Sequence, residues 1–122
     1  MNAAHYRLGN LVAIVDYNGL EADGTIDEVT ALGDIAAKYR AFGWNAVDIN
    51  GNDIDEIISA FDSLPPADSD IPTVIVCHTT KGKGVSFMEG QVRWHAGKLT
   101  PGQRDQAIAE IDAALAEEEG KN

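Results

Sequence analysis

The amino-acid sequence predicts an α/β fold in which short parallel strands alternate with helices. Two apolar runs rich in β-branched residues, at positions 11–15 and 72–79, are typical of strands covered on both faces of a parallel sheet. Between them, apolar residues recur every three or four positions, which is the helical period. The alternation predicts a parallel sheet that binds ligands at the carboxyl ends of its strands.

The chain opens with a predicted helix end and the first strand. Residues 3–8 resemble the last turns of a helix that Gly9 closes, and a helix ending so near Met1 suggests a truncated start. The strand at 11–15 runs directly into a polar turn at residues 16–20. This turn therefore lies at the predicted ligand-binding edge.

A helix and a second strand follow the turn. Thr25 and Glu28 have the spacing of a capping box, and the apolar positions after them predict a helix over about 25–42 that Gly43 ends. Residues 44–49 alternate apolar and polar side chains, which predicts a short strand. An Asn-Gly turn then leads into the next helix.

The second half of the chain is predicted to contain two helices, a strand and an irregular segment. Asn52 or Asp53 caps a helix that must stop before Pro65, and its expected core face is Ile54, Ile57, Ile58 and Phe61. The third strand lies at 72–79, and the glycine-rich segment at 81–97 is too irregular for regular structure. A last helix starts near Pro101, with an expected apolar face of Ala107, Ile108, Ile111, Ala114 and Leu115, and residues 117–122 are expected to fray.

Composition excludes several classes of function. The 122 residues are enough for one domain, and a net charge of −11 argues against a nucleic-acid partner. No apolar run approaches the ~20 residues of a membrane span, and the start lacks the pattern of a secretory signal, so a soluble cytoplasmic protein is expected. The only cysteine, Cys77, lies within the third strand and is expected to be a buried thiol.

Three segments carry possible chemistry, and each also has a purely structural interpretation. Asn18 and nearby carbonyls could bind a hard cation, or the Asn-Gly pair could simply form a turn. Lys81 and Lys83, separated by glycine, could approach a phosphate closely, or could belong to an ordinary surface loop. His95, beside Trp94, could donate to an anionic oxygen or move a proton, although lone histidines are usually structural.

Taken together in this order, the motifs resemble those of transketolase. They are the segment at residues 3–20, Ala-Phe-Gly-Trp at 41–44, His-Thr-Thr-Lys-Gly-Lys-Gly and its continuation at 78–89, and Trp-His at 94–95. The chain is similar to the carboxyl-terminal half of the thiamine diphosphate-binding domain, as found in the amino-terminal subunit of split bacterial transketolases. This resemblance implies a three-layer parallel sheet of the thiamine diphosphate-binding fold, incomplete in this chain, over residues 1–122.

The resemblance also implies roles for individual residues. Asn18 matches the asparagine that binds the cofactor's Mg²⁺, Leu20 matches the residue whose carbonyl binds the same ion, and Gly19 forms the tight turn between them. Lys81 falls in the loop that closes over the diphosphate, and Lys83 is a weaker candidate there. His95 matches a histidine that approaches both the diphosphate and the reacting substrate, which makes it the catalytic candidate.

One departure from the family limits what this chain is expected to do alone. The family's metal-binding motif begins with Gly-Asp-Gly, and this chain contains no such segment. The implied partners are therefore a complementing chain with that segment and the carboxyl-terminal transketolase subunit, with sugar phosphates as substrates in the pentose phosphate pathway. The isolated chain is expected to be inactive.

Two alternatives remain open from the sequence. The chain could be a non-catalytic α/β fragment or interaction module with no working cofactor site. A deoxyxylulose-phosphate synthase is a further relative to consider, although Trp94-His95 fits transketolase better.

Overall fold

The computed structural model describes residues 1–120 and contains one parallel sheet of three strands. The strands are β1 (Val12–Tyr17), β2 (Asn45–Asn50) and β3 (Thr73–His78), in the order β1-β3-β2. The register aligns Tyr17 and Asn50 with His78, so all three strands end at one edge of the sheet. The predicted parallel α/β class is confirmed.

Five helices accompany the sheet in the described part of the chain. They are α1 (Asn2–His5), α2 (Ile26–Val29), α3 (Ile35–Ala41), α4 (Ile54–Asp62) and α5 (Pro101–Glu119), with a short 3₁₀ helix at Val92–His95. Helix α3 packs on one face of the sheet and α4 on the other, which gives the three layers expected from the sequence.

The core lies on the two faces of the central strand β3. Val74, Ile75 and Val76 are at most 1% exposed. Val74 and Val76 pack against Ala36 of α3, whereas Ile75 faces the α4 side. This agrees with the continuous apolar run, which is typical of a strand buried on both faces.

Strand β1 differs from the prediction that it too is covered on both faces. Ile14 is 60% exposed, because α4 packs against β2 and no element of residues 1–120 covers the corresponding part of β1. Cys77, on the neighbouring strand, is half-buried. Its burial has the largest effect and the negative charge of Asp16 the next largest, and both raise the pKa of the thiol. The thiol was expected to be buried; it packs against the core but remains partly exposed.

The first helix ends earlier than predicted, and Gly9 does not close it. Helix α1 stops at His5, and the residue in the left-handed region after it is Arg7, with φ of 54°. Gly9 has a different purpose, since a Cβ there would lie 1.5 Å from the carbonyl oxygen of Ser69. Only glycine allows the two backbones to approach so closely.

The single helix predicted over 25–42 is two helices. The Thr25–Glu28 capping box is present, but α2 ends at Val29 and residues 30–34 are not helical. Gly33 adopts φ of 58°, and the Asp34 side chain starts α3 by accepting a hydrogen bond from the Ala37 amide at 2.7 Å. The apolar spacing continues across this break, which is why periodicity alone missed it.

The cap of α4 and the start of α5 follow the prediction, but the apolar faces of the two helices do not. Asp53 caps α4, and Thr100 with Gln103 forms a capping box for α5. Most of the expected core side chains on the two helices are instead exposed by 44–67%: Ile54, Ile58, Phe61, Ile108, Ile111 and Leu115. No element of residues 1–120 buries these side chains. The amphipathic spacing therefore indicated which residues form the apolar face of each helix, but not which surface packs against it.

Helix α5 also runs further than expected. It continues to Glu119, so the tail predicted to fray from residue 117 is helical up to that point, where alanine and glutamate favour the helix. Residues 121–122 lie outside the described part. Between residues 1 and 120, no helix combines the length and the apolar character that crossing a membrane requires.

Candidate functional site

Three loops meet at the carboxyl edge of the sheet. They are residues 18–20 after β1, residues 51–53 after β2, and the segment that begins at Thr79 after β3. The Thr79 amide donates to the Tyr17 carbonyl at 3.3 Å, and the Gly51 amide donates to the His78 carbonyl at 2.9 Å. The polar segments that follow the strands therefore form one connected surface, as the parallel topology predicts.

The loop after β1 folds around Asn18. The Asn18 side-chain oxygen accepts a hydrogen bond from the Leu20 amide at 3.0 Å, which shapes the loop as an Asx turn. Gly19 adopts φ of 75°, and no atom lies within 4 Å of the position that a Cβ would take. The predicted tight turn is present, with open space beside it.

The donors of this loop fit a hard cation but do not form a full ligand set. An amide oxygen has two lone pairs, so Asn18 can accept the Leu20 amide and still bind a metal. Among the hydrogen bonds of residues 1–120, the Leu20 carbonyl accepts none. In the same residues there is no group of three or more His, Cys, Asp or Glu side chains that could hold a metal ion. A cation here would need ligands from outside these residues.

The two lysines of the loop after β3 have different electrostatic environments. The Lys83 ammonium lies 3.5 Å from the Glu89 carboxylate, which also accepts the Gly84 amide at 2.9 Å. The hydrogen bond from the Gly84 amide has the largest effect and the positive charge of Lys83 the next largest, and both lower the pKa of Glu89. No carboxylate of the described residues forms an ion pair with Lys81. Of the two lysines, Lys81 is therefore the one whose charge is available to a ligand.

The glycines of this loop serve its own folding. Gly82 adopts φ of 73°, and a Cβ there would lie 2.6 Å from the Cβ of Met88. The Gly90 amide donates to the Lys81 carbonyl at 2.9 Å and closes the segment into a compact loop of residues 81–90. Because the Gly84 amide is already bound by Glu89, phosphate recognition by this loop depends on side chains more than the sequence suggested.

His95 lies at the exposed end of the 3₁₀ helix, next to an anchored Trp94. The Trp94 indole donates to the Phe87 carbonyl at 2.9 Å, and the Arg93 guanidinium lies 5.2 Å from the centre of its ring. Within residues 1–120, no hydrogen bond or ion pair links His95 to Asn18, Leu20 or Lys81. The structure thus brings together the first two candidate loops, and Trp94 anchors the segment that carries His95.

One polar cluster at this edge was not predicted from the sequence. The His78 Nε2 lies 2.9 Å from a carboxylate oxygen of Asp48, whose other oxygen is 3.5 Å from Arg40. The Tyr17 ring meets the His78 ring edge-on at 5.4 Å. Tyr17, Asp48 and His78 border a cavity of about 330 Å³. No sequence signal reveals the pair, because the two partners are 30 residues apart and lie on different strands.

Comparison with known proteins assigns the chain to a family. Residues 1–116 match the family model described as transketolase, thiamine diphosphate binding domain. The chain is 39% identical over its full length to an apulose-4-phosphate transketolase subunit of Phocaeicola vulgatus, of which it covers 43%. It is 40% identical over 112 residues, or 92% of the chain, to the 6-deoxy-6-sulfo-D-fructose transketolase subunit SqwG of a Clostridium species, of which it covers 40%.

A solved structure gives the same result for the fold. The transketolase of Pichia stipitis in complex with sedoheptulose-7-phosphate superposes with a TM-score of 0.80 at 30% identity, over 91% of this chain and 16% of that one. The chain thus spans about two fifths of the length of the two subunit relatives.

Proposed function

The chain belongs to the transketolase family, in its thiamine diphosphate-binding domain, and on that premise we propose that it supplies one flank of a cofactor site for ketol transfer. The cofactors in this proposal are thiamine diphosphate and Mg²⁺. The reaction is the transfer of a two-carbon ketol unit between sugar phosphates. The chain is proposed to act within a larger assembly and to be inactive by itself.

The observation that carries the proposal is the alignment of the loops after β1 and β3. The β1–β3 register places Tyr17 opposite His78, so Asn18 and Thr79 begin the two loops side by side. Thr79 connects the loops twice, through its amide to the Tyr17 carbonyl and through its hydroxyl to the Asp16 carboxylate. The segment with the oxygen donors and the segment with Lys81, which forms no ion pair among residues 1–120, therefore leave the same edge of the sheet. Oxygen ligands suit the metal and a cationic side chain suits the diphosphate, which supports the proposal.

Each residue of the site has a defined task in this proposal. Asn18 and the carbonyl of Leu20 bind the metal, and Gly19 leaves room beside them. Lys81 offsets the charge of the diphosphate as a point charge. His95 moves a proton or polarises a substrate oxygen, since imidazole titrates near neutral pH. When bound, thiamine diphosphate supplies the carbon chemistry, and these side chains position it and stabilise charge.

The proposed partners follow from the incomplete ligand set. A complementing chain with the Gly-Asp-Gly segment would provide the missing metal ligand, and a carboxyl-terminal transketolase subunit would complete the active site. The subunit relatives are named for apulose-4-phosphate and 6-deoxy-6-sulfo-D-fructose, so a phosphorylated or sulfonated sugar is the substrate class that we infer. A cytoplasmic location and a place in the pentose phosphate pathway belong to the same proposal.

A second candidate function, a non-catalytic interaction module, is favoured by the exposed apolar side chains. Three isoleucines, Ile14 on the sheet and Ile54 and Ile58 on α4, are 52–67% exposed. Exposed apolar side chains that form a patch indicate an interaction surface. Association with a partner is expected from both candidates. They differ in whether the assembled complex binds the cofactor.

Calorimetric titration with thiamine diphosphate and Mg²⁺ tests the proposal. The chain is titrated alone and after mixing with a complementing chain that carries the Gly-Asp-Gly segment, and ketol transfer is then assayed in the presence of the carboxyl-terminal subunit. The test variant is Asn18→Ala. Its matched control is Asn10→Ala, which removes an exposed asparagine before β1, at the opposite end of the same strand.

The expected result is Mg²⁺-dependent binding by the complemented assembly that weakens at least about tenfold in Asn18→Ala, because even the groups that only orient metal ligands are worth about 10- to 100-fold in metal affinity. Asn10→Ala should bind like the parent chain. Assembly without cofactor binding would support the interaction module instead. Ketol transfer by the isolated chain would contradict the proposed need for partners.

A further inference from the structure

Helix α5 contacts the loop of residues 81–90 through one carboxylate. Glu110 accepts the backbone amide of Ser86 at 2.6 Å and the Ser86 hydroxyl at 2.7 Å. The Gln106 side chain donates to the same carboxylate at 2.7 Å and orients it. Three hydrogen bonds lower the pKa of Glu110: the largest effect comes from the Ser86 amide, the next from Gln106 and the smallest from the Ser86 hydroxyl. These bonds therefore favour the ionised carboxylate.

Ser86 occupies the position in the loop where such a contact has the most effect. It begins a single helical turn in which the Val85 carbonyl accepts the amides of Met88 and Glu89, at 2.8 and 3.1 Å. The amide of Ser86 is one of the donors that a turn of this kind leaves without an internal partner. Glu110 therefore satisfies that donor from a different element of the fold.

Backbone hydrogen bonds connect this turn to the segment around Lys81. The Val85 amide donates to the Gly82 carbonyl at 3.2 Å, and the Gly90 amide donates to the Lys81 carbonyl at 2.9 Å. Val85 itself is buried and anchors the middle of the loop. A displacement of the turn at Ser86 is consequently transmitted to the backbone that carries the Lys81 side chain.

We propose that Glu110 is a positioning residue that ties the loop of residues 81–90 to α5 and so fixes Lys81 for the diphosphate. The second part of this inference rests on the function proposed for Lys81. Ala107 is the one buried residue of α5, and Glu110 makes the hydrogen bonds of this helix to the loop. Glu110 touches neither cofactor nor substrate in this scheme and acts through Ser86.

The test compares three variants of the full chain. Glu110→Ala removes both bonds to Ser86, and Glu110→Gln keeps one acceptor for the amide but loses the charge. Glu117→Ala is the matched control, because it removes an exposed glutamate from the same helix. Amide hydrogen exchange of residues 81–90 is measured in the chain, and the Kd for thiamine diphosphate with Mg²⁺ is measured in the complemented assembly.

We expect the Ser86 amide of Glu110→Ala to exchange about tenfold faster, that of Glu110→Gln about threefold faster, and that of Glu117→Ala at the parent rate. The cofactor Kd should rise in the same order, while kcat at saturating cofactor stays unchanged. A purely structural role would alter exchange without this graded, Kd-specific effect.

The two parts of the inference fail in different ways. Unchanged exchange at Ser86 in Glu110→Ala would overturn the positioning role. A second outcome is that Glu110→Ala speeds exchange but leaves the cofactor Kd unchanged, although Lys81→Ala raises that Kd. This outcome would overturn the connection to the cofactor. If Lys81→Ala itself leaves the Kd unchanged, the proposed function of Lys81 fails, and the exchange data still decide whether Glu110 fixes the loop.

Discussion

The different environments of Lys81 and Lys83 lead to a prediction that separates them. Both are lysines in one short glycine-rich loop, and both would count equally in any estimate from local charge. Lys83, however, already has the Glu89 carboxylate at 3.5 Å, and its side chain is 58% exposed. In the described residues Lys81 has no such partner. Lys81→Ala should therefore weaken diphosphate binding strongly, and Lys83→Ala only slightly.

The expected magnitudes follow from these contacts. A hydrogen bond to a charged group contributes about 1.5–3 kcal/mol, so removing the Lys81 ammonium should raise the cofactor Kd by roughly 10- to 100-fold. An exposed ion pair such as that of Lys83 with Glu89 is worth about 0–1 kcal/mol, because solvent and salt screen it. If Lys83 serves only the loop, its removal should change the Kd by less than about fivefold.

The assay is calorimetric titration of the complemented assembly with thiamine diphosphate and Mg²⁺. Urea denaturation of each variant chain shows whether the fold is preserved, and Lys81→Arg, which keeps the charge in a different shape, should fall between Lys81→Ala and the parent. Equal losses from the two alanine variants, or a larger loss from Lys83→Ala, would refute the assignment of the diphosphate contact to Lys81.

Three further predictions concern the scaffold. Ile75→Ala should lower the free energy of unfolding by about 2–5 kcal/mol in urea denaturation, whereas Ile14→Ala, at an exposed site, should stay within about 0.5 kcal/mol of the parent; similar losses at both sites would contradict the assigned core. The side-chain and backbone hydrogen bonds of Thr25 lower the pKa of Glu28, so its capping contribution is present above the unfolded pKa of about 4.3 and disappears as pH falls through the lower folded value. Glu28→Gln should flatten this part of the stability–pH curve, and an unchanged curve would contradict the cap. Gly82→Ala should speed hydrogen exchange across residues 81–90, because its Cβ would meet the loop backbone and φ is positive; parent-like exchange would show that the loop can relax.

The sheet was predictable because its signals are local. The first strand was expected at residues 11–15 and is found at Val12–Tyr17, and the third was expected at 72–79 and is found at Thr73–His78. Continuous β-branched runs have few alternatives in a short α/β chain. The caps at Thr25, Asp53 and Thr100 were equally accessible, since each depends on side chains within three residues.

The break in the predicted helix over 25–42 had a signal that periodicity concealed. Gly33 followed by Asp34 is a helix-ending residue type next to a helix-starting one; in the structure α2 has already ended at Val29, Gly33 adopts a positive φ in the connection, and Asp34 caps α3. The apolar spacing across the break could not indicate it, because α2 and α3 each contribute a buried apolar residue, Ile26 and Ala36. Local stop and start signals should therefore override a continuous apolar period when the two disagree.

The candidate site was predictable to the extent that it depends on sheet register. Placing Asn18 and Thr79 side by side needs only two parallel strands that end together, and both strands were evident in the sequence. The charge balance was not predictable, because it depends on how the loop folds on itself and on its contact with α5. Glu89 forms an ion pair with Lys83, and Glu110 accepts a hydrogen bond from the Ser86 amide. No sequence pattern predicts either contact.

This difference explains why the local pattern of the glycine-rich loop predicts a candidate place for a phosphate but not the hydrogen bonds that the loop makes when folded. A sequence of alternating lysine and glycine indicates that a phosphate could approach the backbone. In the folded chain the amides of Gly84 and Ser86 are already bound by carboxylates, and the amide of Thr80 by the Asn52 side chain at 2.7 Å. These acceptors fix the loop and remove these three amides from ligand binding. Lys81 forms no ion pair with a carboxylate of the described residues, so its side chain is the group of this loop that we expect to meet an anion in an otherwise acidic chain.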